Sequence, residues 1–87
     1  MPDEIKEGKL IGKITHYFGK IGVAIIELSD SLKVGDQIRI LGGTTNFTQT
    51  IDSMEWEHKK VETAEAGNEV GVKVAEAAKE GYQVYKL

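Results

Sequence analysis

From Lys9 the chain alternates with a period of two. Leu10, Gly12, Ile14, His16 and Phe18 fall on one face, and Ile11, Lys13, Thr15 and Tyr17 on the other. Successive side chains of a β-strand point to opposite faces, so this spacing predicts a strand. The following run, residues 21–28 (IGVAIIEL), is apolar at both parities. That is the pattern of a strand covered on both sides. Ile38 and Ile40 point inward in the next segment, with Gln37 and Arg39 outward, and Val70, Val72 and Val74 alternate with Gly71, Lys73 and Ala75. Residues 82–87 close the chain as a last strand.

Between Phe47 and Trp56 the phase changes. Phe47, Gln49 and Ile51 share one parity, whereas Met54 and Trp56 take the other. A phase change within one strand predicts a β-bulge, the device by which small barrels turn corners. Met54 and Trp56 are then expected in the core and Glu55 on the surface. Residues 54–66 are read as strand then loop, with a short helix as the rival. Residues 76–81 (EAAKEG) form a connector with room for one helical turn.

Polar turns separate these runs. In Leu32-Lys33-Val34-Gly35-Asp36 the glycine supplies a positive φ at no steric cost, and the Asp36 carboxylate can accept from nearby backbone. Gly67 marks a second such turn. About six short strands at this spacing, with ten glycines and Pro2 as the single proline, predict an all-β fold, a single closed six-stranded Greek-key barrel. The chain of 87 residues is long enough for one small domain, with residues 1–8 as a flexible polar tail and residues 9–87 as the barrel.

Composition narrows the function. Without cysteine neither a disulfide framework nor a thiolate zinc site can form. The charged opening MPDEIKEG lacks a signal peptide's apolar core, and no run approaches the length of a membrane-spanning helix, so the chain is expected in the cytoplasm, off the membrane. The net charge of −3 is uneven. Residues 1–43 balance, whereas residues 44–87 hold five basic against eight acidic side chains. Nucleic-acid binding calls for a basic surplus. Here only a local basic face, from Lys9, Lys13, His16 and Lys20, could serve it.

Catalytic patterns are missing. Residues 8–15 (GKLIGKIT) miss the phosphate-binding loop, because three residues separate the glycines and Ile14 stands where a hydroxyl must follow the lysine. Two histidines, His16 and His58, make no metal site with the spacing zinc requires. Ser29, Ser31 and Ser53 lack a nucleophile's surroundings. No cofactor, metal or nucleotide is expected, and no enzymatic activity.

Leu32-Lys33-Val34-Gly35-Asp36, Ser53-Met54-Glu55, Ala66-Gly67-Asn68-Glu69-Val70-Gly71 and Gly81-Tyr82-Gln83-Val84, in this order, resemble the second domain of translational GTPases such as elongation factor Tu. They are also similar to barrels that stand alone in prokaryotes or are attached to collagenase-like peptidases, and residues 12–36 resemble those more closely. The resemblance spans residues 9–87 and includes neither a GTPase domain nor a third domain. Ala24-Ile25-Ile26-Glu27 departs from the glycine and basic residue often found there in the GTPases.

The resemblance implies a six-stranded Greek-key barrel that binds, with two readings. In the first, a monomeric module docks onto RNA, the ribosome or a protein of the translation machinery. Glu55 then matches the carboxylate that helps form the terminal-adenosine pocket in aminoacyl-tRNA carriers, and Lys13, His16 and Lys20 supply basic contacts. In the second, an accessory barrel serves a peptidase or an RNA-modifying enzyme through protein–protein contact.

Overall fold

A computed structural model of the protein describes residues 8–87, so the expected tail lies outside the described residues apart from Gly8. The strands are β1 (Lys9–Phe18), β2 (Val23–Leu28), β3 (Leu32–Lys33), β4 (Gln37–Gly42), β5 (Thr45–Thr50), β6 (Met54–Trp56), β7 (Lys59–Val61), β8 (Thr63–Ala64), β9 (Glu69–Lys73) and β10 (Gln83–Lys86). The all-β expectation holds, and no helix occurs among the described residues. The expected count of six strands is corrected. Residues 54–64 hold three strands of two or three residues each, and Leu32–Lys33 adds another; segments this short leave no alternating signature. The connector at residues 76–81 forms no helix; Ala78 is buried against the core, and the segment ends in a turn where the Tyr82 N–H donates to the Lys79 carbonyl.

Eight strands join in the order β5-β4-β10-β1-β2-β9-β6-β7, and β3 pairs with β8. The last strand returns to lie between β4 and β1, beside the first. The pairing is linear from β5 to β7, and a side chain spans the gap beyond β5. The Gln49 amide donates from Nε2 to the Lys73 carbonyl at 2.9 Å and accepts from the Ala75 N–H at 2.7 Å.

The parity expected for β1 is also corrected. Its register slips between Leu10 and Gly12 against β10, and between Ile14 and His16 against β2. Each bulge turns the side chains over. Ile11 and Ile14 therefore both enter the core, while Leu10, His16 and Phe18 reach solvent. The bulge expected between Phe47 and Trp56 is absent, since β4 and β5 stay in register from Gln37↔Thr50 to Gly42↔Thr45. The phase changes instead in residues 51–53, where the chain leaves one strand and starts the next. The core is aliphatic, with Ile14, Ile26, Ile38, Ile40, Val70 and Val72 almost wholly buried. Each such side chain contributes about 1.5–3 kcal/mol on burial.

Two turns share one construction. Gly35 has φ of 98° and Gly67 of 94°. In the first turn the Lys33 N–H donates to Asp36 Oδ2 at 3.0 Å and the Asp36 N–H returns to the Lys33 carbonyl. In the second the Glu65 N–H donates to Asn68 Oδ1 at 2.9 Å and the Asn68 N–H returns to Glu65. The turns flank the β3–β8 pair, Leu32 opposite Ala64.

Candidate functional site

Residues directly opposite in an antiparallel pair present their side chains on one face. On the outer face of β1, β2, β9, β6 and β7, this gives three rows. One runs His16, Ile25, Gly71, Glu55, Lys60; a second Phe18, Val23, Lys73; a third Lys13, Glu27, Glu69. Glycine in the first row leaves a gap in the face. The result is a groove of about 500 Å³.

One side of this groove is apolar, built from Phe18, Ile21, Val23 and Ile25. Phe18 is 44% exposed and Ile21 61%, so both offer surface to a partner. The His16 ring meets the Phe18 ring edge-on, centroids 4.3 Å apart, and braces it at the rim. Ile21 is held in the β1–β2 turn, where the Gly22 N–H donates to the Phe18 carbonyl at 2.9 Å. An added Cβ at Gly71 would rest 3.4 Å from Val23 and 3.5 Å from Ile25, in ordinary contact. The missing side chain therefore opens the groove without straining the strand.

The other side is acidic. Glu55, Glu57 and Glu69 line it with Ser53 and His58; Lys73 is the one lysine or arginine in the lining, and Lys60 stands across from Glu55 on β7 outside it. Glu57 and His58 form the two-residue turn between β6 and β7, with φ of 54° and 66°. Both values are positive, as in the type I′ turn that normally selects Asn-Gly. Trp56 was expected in the core and is 39% exposed. The reason is position: the last β6–β9 pair is Glu55 with Gly71, and Trp56 projects past it, opposite Lys59.

Three of the four residues expected to form a basic face stand beside acids. Lys9 pairs with Asp30, and its hydrogen bond, with that of the Ser31 N–H, holds the Asp30 carboxyl below the usual carboxylate range. His16 Nδ1 lies 3.5 Å from Glu80, and Lys13 shares its row with Glu27 and Glu69. Lys20 stands exposed in the β1–β2 turn. His16 and Glu55 share a row but stand three strand spacings apart, about 14 Å. The structure thus brings Glu55 to the groove and leaves Lys13 and Lys20 outside its lining. Phe18, Ile21 and Gly71, which form much of its surface, were not singled out from the sequence; a bare glycine on the solvent face of a valine-rich strand was the available signal. Among the described residues no three His, Cys, Asp or Glu side chains gather as a metal site. Nor is any helix there long and apolar enough to cross a membrane.

No family model matches the chain. It is 44% identical over 78 residues, 88% of its length, to an uncharacterized protease of Methanocaldococcus jannaschii. It spans only 19% of that protein. Among solved structures it resembles the C-terminal domain of a Geobacillus thermoleovorans protein assigned as a U32 peptidase. One structure of that domain, a selenomethionine variant, superposes with a TM-score of 0.85 and 22% identity, covering 90% of this chain and 99% of the domain. A second covers 91% and 92% with the same score and identity. The chain has the fold of those domains. This is the peptidase-attached side of the resemblance drawn from the sequence, and it does not point to elongation factor Tu specifically.

Proposed function

We propose that the chain is a non-catalytic accessory module, a Greek-key barrel completed by the Gln49 link, that works by protein–protein contact beside a peptidase-type catalytic region. The observation that carries this reading is the confinement of a 44% match to 19% of a protease. The likeness to a C-terminal peptidase domain supports it. Docking to RNA or the ribosome has less support, since carboxylates accompany Lys9 and Lys13 and line the groove that displays Glu55.

The test is binding of the chain to the M. jannaschii protease with its matching segment deleted, with labelled tRNA in parallel, at about 50 and 200 mM salt. Association with the protease that persists at the higher salt is expected. Absence of that association overturns the proposal, and tRNA binding that falls steeply with salt would replace it with the RNA reading.

A further inference from the structure

We infer that the groove between β1–β2 and the β6–β7 turn docks a polypeptide segment presenting an apolar side chain flanked by lysine or arginine. The inference rests on the accessory reading above and names the chemistry of the partner. Three features of the same place converge on it.

The first is apolar surface. Phe18 and Ile21 are exposed side by side with half-buried Val23 and Ile25, a contiguous patch rather than a scattered residue. The gap over Gly71 gives it depth for a single inserted side chain. The second is charge. Glu55, Glu57 and Glu69 stand along the opposite side with Lys73 the sole lysine or arginine in the lining. An apolar side chain can therefore enter beside carboxylates that favour cationic neighbours and repel acidic ones or a phosphate backbone. The third is the β6–β7 turn. Glu57 and His58 occupy its two positive-φ positions, which a two-residue hairpin of this type requires. Here they aim one carboxylate and one imidazole at the rim.

The probes are two blocked peptides, Lys-Leu-Lys-Phe-Lys and Glu-Leu-Glu-Phe-Glu, titrated into the isotope-labelled chain while the amide resonances of Ile25, Glu55 and Gly71 are followed. The basic peptide should shift these amides with submillimolar affinity and the acidic one should not. Gly71→Val should abolish the shifts by filling the groove while the rest of the spectrum stays folded. Glu55→Gln and Glu57→Gln should each weaken binding roughly twofold to fivefold, the range of an exposed charge pair. The inference is overturned if the basic peptide leaves the three amides unmoved at about 2 mM, if both peptides bind alike, or if tRNA moves these amides in their place. If the segment-deleted protease still binds the chain and Gly71→Val does not weaken it, the accessory role stands and the contact lies on another face.

Discussion

The side chain of Gln49 pairs with the backbone of Ala75 as a neighbouring strand would. Its Oε1 accepts the Ala75 N–H at 2.7 Å while its Nε2 donates to the Lys73 carbonyl at 2.9 Å. A primary amide has the same donor and acceptor as a peptide group, so one residue of β5 satisfies the chain leaving β9 where no ladder reaches. Glu cannot replace it, since a carboxylate at neutral pH accepts but does not donate. Gln49→Glu should destabilise the domain by about 1–2 kcal/mol, with a carboxylate set against the Lys73 carbonyl, and Gln49→Ala by about 1 kcal/mol. Urea unfolding checks both; equal stability of Gln49→Glu and the parent would show the link to be idle.

Gly35 and Gly71 separate backbone strain from lost space. Nothing lies within 4 Å of a Cβ added at Gly35, yet its φ is 98°. Gly35→Val should therefore cost about 1–3 kcal/mol through backbone conformation alone. Gly71 lacks such a φ and has ordinary contacts waiting, so Gly71→Ala should lie within about 0.5 kcal/mol of the parent. Thermal melts of the two variants should differ by several degrees in a chain of this size.

The Glu57-His58 turn should be improvable. Replacing the pair with Asn-Gly suits the positive φ at both positions and should stabilise the domain by about 1 kcal/mol. The same change removes a carboxylate from the groove. A gain in melting temperature together with weaker capture of the basic peptide is the expected pair of results. Loss of stability would mean that the turn is held by side-chain contacts of Glu57 or His58.

Asp30 gives a pH dependence of known sign. Lys9 and the Ser31 N–H favour its charged form, so its folded value lies below the unfolded one. The contribution is complete above about pH 4, the unfolded Asp value, and is lost as pH falls through the lowered folded value. Asp30→Asn should lie slightly below the parent in stability at neutral pH, because the pair is exposed, and the difference should close in acid. Urea midpoints between about pH 2 and 7 test this; a gap that stays constant with pH would refute it.

The sequence showed the strands whose ladders run five or six residues without a slip. The alternation of Val70 and Val72, or of Ile38 and Ile40, survives intact in β9 and β4. It misled in β1, because the bulged positions carry Ile11 and Thr15, ordinary strand residues that give no sign of a slip. The turns at Gly35 and Gly67 were visible because positive φ and an Asx acceptor demand particular residue types. At the groove, only Glu55 had been singled out. The exposure of Phe18 depends on that second bulge and the exposure of Trp56 on where β9 stops pairing, and both are set by partners distant in sequence.

Lys9 and Lys86 lie opposite each other at one end of β1, and Phe18 stands at its other end. Nine residue steps separate Lys9 from Phe18, about 25–30 Å of bulged strand. Chain entering at Lys9 and leaving at Lys86 would meet the module at a single corner, with Phe18 at the opposite end of β1. A partner docked in the groove would then sit about 25–30 Å from the point of fusion. Grip and attachment could thus change independently, one by substitution around Gly71 and the other by the length of the join.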